Sequence, residues 1–215
     1  MRSTLIVDKS RSMGYSSGGM TKLEYAVSLA AALSYMMISQ GDRVGLMLVD
    51  EKVREHVPGR SKRTHLFRLW ERLARLKADG KTDLAGSLSS AARLITKRGL
   101  VIVLSDFLGD ASALAREVQH LRFRRQDVIL LHILDPTEME YPFDSPVLLR
   151  DPETGRTLAG DPSHERTAYA AAVGKLISDL KLACARARAD YGLLVTSDPF
   201  DRALADFLYR RSKRA

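Results

Sequence analysis

Asp8, Ser10 and Ser12 alternate along the segment Asp8-Lys9-Ser10-Arg11-Ser12, just after a short apolar run, Ser3 to Val7. In an extended loop alternate side chains point the same way, so one carboxylate and two hydroxyls converge on one point. Ser105-Asp106 follows a second apolar run, Leu100 to Leu104, and Gly80-Lys81-Thr82 precedes a helical pattern that begins at Asp83. Asp106 would add a second carboxylate and Thr82 a third hydroxyl. The set Asp8, Ser10, Ser12, Thr82 and Asp106 contains oxygen donors only. Hard donors of this kind suit a divalent cation, Mg²⁺ first with Mn²⁺ or Ca²⁺ as alternatives, rather than zinc or copper. Two carboxylates among neutral hydroxyls leave such an ion short of bonding charge, so it would accept an external carboxylate. Thr82 also has a plainer reading, as the cap of the helix that follows it.

The residues around this set read as a partner-binding rim: Lys9, Arg11, Ser16, Ser17 and Lys81. Lys9 and Arg11 lie inside the motif and should point away from the metal. They would ring it with positive charge and favour an acidic partner, although plain solvated charges explain them equally well. Ser16-Ser17-Gly18-Gly19 lacks the lysine and spacing of a phosphate-binding Walker loop and reads as a flexible lip. None of the histidines, His56, His65, His120, His132 and His164, has metal-ligand spacing to another. His132 lies in an apolar strand pattern and reads as a core residue. Asp135-Pro136 and Asp198-Pro199 read as strand exits at the same edge.

These residues need a sheet to position them. Arg43 to Val49 and Asp127 to Leu134 are further apolar strands, and Leu193 to Thr196 is a last one. Lys52 to Val57 follows a tight Asp50-Glu51 turn, which predicts an antiparallel neighbour. Helical patterns cover Met20 to Gln40, Arg63 to Leu76, Asp83 to Lys97, Ala111 to Phe123, Glu165 to Asp190 and Arg202 to Arg210. In the first, Leu23, Ala26, Val27, Ala30, Leu33 and Met37 follow the spacing of one helix face, and Thr21 with Glu24 forms a capping box. Val147 to Leu149 and Arg156 to Leu158 flank Asp151-Pro152-Glu153-Thr154-Gly155 as an exposed hairpin. Strands alternating with helices predict an α/β, doubly wound, mostly parallel sheet with helices on both faces, one antiparallel edge strand and an inserted hairpin. Ligands bind such sheets beyond the carboxyl ends of the strands, where the donor set falls.

A chain of 215 residues suits one domain, 1–215. With 45% hydrophobic and 28% charged residues it is neither disordered nor a membrane-spanning chain, since no apolar run reaches the ~18 residues a bilayer needs. Cys184 is the single cysteine, which excludes an intrachain disulfide and a cysteine-based zinc site. It falls in an apolar helical stretch and reads as a small core residue. The N-terminus shows no signal-peptide pattern, and the expected setting is cytoplasmic. The net charge of +8 permits an acidic partner or nucleic acid through Lys52, Arg54, Arg60, Lys62, Arg63, Arg122, Arg124 and Arg125, with the basic tail 210–215. These residues do not interleave with aromatics as a nucleic-acid module would.

The pattern Asp-x-Ser-x-Ser after a first strand, a loop threonine before a helix, and an aspartate after a central strand resembles the metal-ion-dependent adhesion site of von Willebrand factor A domains. That resemblance implies a Rossmann-type fold, direct metal contacts from Ser10 and Ser12, and direct or water-mediated contact from Thr82. It implies that Asp8 and Asp106 act largely through water or as anchors. It leaves the sixth position to an acidic residue of a partner. Longer stretches, among them "GKTDLAGSL", "VIVLSDFL" and "DPFDRALADFL", resemble the carboxyl-terminal half of the bacterial domain-of-unknown-function family 58. Its members are similar to von Willebrand factor A domains, carry further residues upstream, and are often encoded beside MoxR-type AAA+ ATPases. The resemblance implies a metal-dependent protein–protein interaction module, not an enzyme, working with such an ATPase in the assembly or maturation of client proteins. Two competing readings are a Mg/Mn-dependent hydrolase or phosphotransferase, with Asp8 and Asp106 holding the ion, and nucleic-acid binding through the basic surface. Against the hydrolase, no His, Lys or third carboxylate near the motif stands out as a general base.

Overall fold

The computed structural model describes residues 1–140, 147–150, 157–160 and 162–212. The tip Asp151 to Gly155 and the last tail residues, 213–215, lie outside the described residues. The strands are β1 (Arg2–Asp8), β2 (Arg43–Val49), β3 (Val53–Arg60), β4 (Leu100–Ser105), β5 (Asp127–Leu134), β6 (Val147–Arg150), β7 (Thr157–Gly160) and β8 (Asp190–Val195). The helices are α1 (Lys22–Ser39), α2 (Arg63–Ala74), α3 (Leu84–Leu94), α4 (Ala111–Phe123), α5 (Pro136–Glu140), α6 (Pro162–Ala187) and α7 (Phe200–Ser212).

Six strands form one sheet in the order β3-β2-β1-β4-β5-β8. Every pairing is parallel except β2 with β3, which makes β3 the antiparallel edge. β6 and β7 pair antiparallel as a separate hairpin. The apolar runs form central strands because both their faces are covered. Leu5 and Val7 of β1 pack with α1, α2 and α7, while Ile6 packs with α3, α4 and α6 on the opposite face. All six residues of β4 are buried. Each fully buried aliphatic side chain contributes about 1.5–3 kcal/mol of burial energy, so these two cores hold the sheet flat against its helices.

α1 begins as expected. The Thr21 hydroxyl accepts the Glu24 N–H, and Glu24 reaches back to the Thr21 N–H. Other boundaries differ by a turn or less. α3 starts at Leu84 and ends at Leu94, short of Lys97. Its cap is Asp83, whose carboxylate accepts the Gly86 N–H at 2.9 Å, so Thr82 is not the capping residue. Trp70 is half-buried against the core, and its indole N–H reaches Ser34 Oγ at 3.2 Å. His132 and Cys184 are buried core residues, as the sequence predicts. Among the described residues, no helix is long and apolar enough to cross a membrane.

Candidate metal centre

The chain leaves β1 through α1 to β2 on one side, then returns to β4 on the other side of β1. The strand order therefore reverses between β1 and β4. Loops leaving neighbouring strands at such a point diverge and open a crevice. Asp8 ends β1, and Ser105-Asp106 leaves β4, at that crevice.

Asp8 is buried, with Oδ1 accepting the Ser10 N–H at 2.8 Å and Oδ2 accepting the Ser105 hydroxyl at 2.6 Å. The first bond is a local aspartate turn that bends the loop as it leaves the strand. A short 3₁₀ turn, Arg11–Gly14, follows at once. Ser10 Oγ and Ser12 Oγ lie 3.3 Å apart and both residues are buried. The serines do come together, but through this turn rather than through the extended loop the spacing predicts. Asp106 is fully buried, and its Oδ1 accepts the Leu108 N–H at 3.2 Å. Phe107, next to it, has φ 49° although it is not glycine, and its N–H is held by Ser105 Oγ at 2.9 Å. A left-handed non-glycine residue costs roughly 1–2 kcal/mol, and such strain gathers at functional sites.

The Thr82 loop is drawn alongside by the main chain. Arg11 N–H donates to Gly80 O at 3.1 Å, and Asp79 N–H to Lys9 O at 2.8 Å. Gly80 makes this approach possible. Its φ is +92°, and a Cβ there would stand 2.8 Å from Asp50 Oδ2. Thr82 is half-buried and lines a small cavity of about 120 Å³ with Phe107 and Leu108. The rim is less free than its sequence suggests. Lys9 lies 3.6 Å from Asp50 and Arg11 3.4 Å from Asp79, so both turn towards acids of neighbouring loops. The Ser17 N–H is held by Asp135 Oδ2 at 2.9 Å, which fastens the lip expected to be loose. Ser16 Oγ accepts the Gly18 N–H, and Lys81 is exposed.

Electrostatics set this cluster apart. Burial first, then the Asp106 charge, pushes the Asp8 carboxyl up to about 6, against the hydrogen bonds from Ser105 and Ser10 that pull it down. The shift reports a buried carboxyl beside a second carboxylate, an environment that disfavours its charged form. Oxygen donors, two of them buried carboxylates, fit a hard divalent cation. Among the described residues no three His, Cys, Asp or Glu side chains gather as a metal cluster, so a cation here would depend on the serine and threonine hydroxyls. Behind β4, His132 meets the Tyr191 hydroxyl at 2.7 Å, and burial drives its ring down to about 4, so it stays neutral.

Sequence reasoning missed Lys22, Glu138 and Asp50. Lys22 is fully buried, 2.8 Å from Asp106 Oδ2 and 2.6 Å from Glu138 Oε1. Glu138 in turn accepts the Asp135 N–H at 2.9 Å. A signal for Lys22 was present: it stands three and four residues before buried Tyr25 and Ala26, a charge on the apolar stripe. Asp50 opens the β2–β3 turn and accepts from Arg54 Nε at 2.6 Å. Arg54 and Arg122, two residues of the supposed basic surface, are therefore tied to acids, Asp50 and Asp127.

The comparisons agree with this architecture. BatB from Bacteroides thetaiotaomicron superposes with a TM-score of 0.66 at 16% identity, over 99% of this chain and 98% of that one. The SpRpn10 VWA domain superposes with a TM-score of 0.57 at 12% identity, over 97% and 94%. At such identities the likeness is one of fold. An uncharacterized protein of Mycobacterium bovis is 29% identical over 164 residues, 74% of this chain and 51% of its own length. The chain thus spans about half the length of the curated relatives it matches. The family described as "Protein of unknown function DUF58" matches residues 1–176, and the chain belongs to that family, built on a von Willebrand factor A-like fold.

Proposed function

We propose that the chain is a metal-dependent protein–protein interaction module. The observation that carries this reading is the meeting of two buried carboxylates and two serine hydroxyls at the point where the strand order reverses. Ser10, Ser12 and Thr82 would hold the ion, Mg²⁺ first, with Asp8 and Asp106 supplying charge directly or through water. The ion would act as a Lewis-acidic bridge to an acidic side chain of the partner, because two carboxylates and neutral hydroxyls leave it able to bind one more. Asp8 is anchored by Ser105 and Ser10, and Asp106 by Leu108 N–H, so the chain orients both carboxylates before any ion arrives. The partner proposed is a MoxR-type AAA+ ATPase or its client, which rests on the family resemblance.

Calorimetric titration of Mg²⁺ and Mn²⁺ tests the site, with a Ser10→Ala, Ser12→Ala double variant beside the parent. Heat from the parent and none from a variant that stays folded by circular dichroism is the expected result. Identical behaviour of the two proteins up to millimolar metal would remove the site assignment and leave only the fold.

A further inference from the structure

Lys22 brings a positive charge of the chain's own into the place where a cation is proposed to bind. Its ammonium has no exposed surface, and it touches Asp106 and Glu138 at 2.8 and 2.6 Å. Two cations of the neighbouring loop are held by other acids: Lys9 reaches Asp50 and Asp79 O, and Arg11 reaches Asp79. Asp135 is also turned away, accepting from Ser17 and Thr137. The charges form a chain of neighbours: Asp8 feels the charge of Asp106, and Asp106 and Glu138 share the ammonium of Lys22. Three negative charges and one positive leave a deficit of two, the charge of one divalent ion. A cation locked between the site and its outer acid is costly to bury unless it is paired, and this one is paired twice.

We infer that Lys22 is a built-in counter-cation that sets the affinity of the site for a divalent ion, lowering it by repulsion, and that Glu138 offsets this effect from the outside. The inference rests on the metal reading above. Like charges in a buried setting repel far more strongly than in water. Removing the ammonium would deepen the deficit and tighten metal binding, even though no metal donor is touched. Removing the Glu138 charge would leave Lys22 less neutralised and weaken binding, even though Glu138 is not among the proposed donors. Glu138 stands on α5, the segment that leads towards the β6–β7 hairpin, so the offset depends on where that segment sits.

The experiment is calorimetric titration of Mg²⁺ at pH 8 into the parent, Lys22→Met and Glu138→Gln, each checked for folding by circular dichroism. Lys22→Met should bind at least about tenfold more tightly than the parent, and Glu138→Gln about threefold or more weakly, since its side chain is partly exposed and screened. The opposite signs are the decisive readout, because a merely structural role would weaken binding in both. Shifts in the same direction, or a Lys22→Met affinity equal to the parent's, overturn the inference while the metal reading stands. If Lys22→Met does not fold, Glu138→Gln decides alone, and an unchanged affinity overturns the inference. A parent that binds no Mg²⁺ overturns the metal reading and this inference with it.

Discussion

At the carboxyl end of the sheet the structure buries Asp8, Ser10, Ser105, Asp106 and Lys22, all but sealed from solvent. At the amino end the same sheet borders an apolar cavity of about 230 Å³, lined among others by Leu33, Leu100, Ile129, Leu131, Leu204 and Phe207. The amino end gains stability from every apolar side chain it covers. The carboxyl end loses solvation for every charge it buries and recovers it only through specific partners. A fold that served stability alone would have no use for the second arrangement. The contrast separates the part of the molecule that holds it together from the part proposed to bind, and three measurements bear on that separation.

The largest effect belongs to Lys22. In metal-free buffer Lys22→Met strands Asp106 and Glu138 without their counter-charge and should cost about 3–5 kcal/mol in urea unfolding. Added Mg²⁺ should return part of that loss. An unmoved midpoint would mean that the ammonium contributes nothing to holding the polar end together. Leu131→Ala at the apolar end should cost about 3 kcal/mol, since it enlarges an existing cavity under α7. Its Mg²⁺ affinity should stay at the parent's value. A changed affinity would erase the separation between the ends.

The smallest effect concerns Asp8 and pH. Its carboxyl sits at about 6 in the fold against an ordinary 3.8. A group raised in this way contributes stability that is fully present below about 3.8 and is lost as pH rises through about 6. Asp8→Asn is neutral throughout and keeps that contribution. Its metal-free unfolding free energy should therefore gain on the parent's from about pH 4 to about 6.5, by at most about 3 kcal/mol less what the amide loses in the bonds from Ser10 and Ser105, while Mg²⁺ binding is lost. His132, held down to about 4 by burial, works in the opposite sense: its contribution is present above its ordinary 6.5 and lost as pH falls through about 4. It is common to both proteins and drops out of the difference. A flat difference across this range would show that the Asp8 charge is tolerated at no cost.

Much of the fold could be read directly from the chain. β1, β2, β4 and β5 are continuous apolar runs because a parallel strand covered on both faces needs no polar side. The antiparallel β3 followed from a turn too short for a crossover, although the strand runs three residues further, to Arg60, than its apolar pattern. Asp8 closes β1 and Asp106 follows β4, at the strand ends named for them. Less legible were the details that depend on a neighbour's side chain. Thr82 before a helix looks like a cap, yet Asp83 takes that place because its carboxylate reaches the Gly86 N–H. Lys9 and Arg11 looked like a free positive ring, yet Asp50 and Asp79 lie beside them.

Composition, periodicity and turn chemistry by themselves determined an α/β sheet with a row of oxygen donors at its carboxyl edge, because those properties act over a few residues. Only the tertiary structure decided that Asp106 faces Lys22, 84 residues away, and that Lys22 also meets Glu138, 116 residues away. Strand order sets those meetings. A buried charge is tolerable only where an opposite charge arrives from another element, and no local pattern reveals which element that will be.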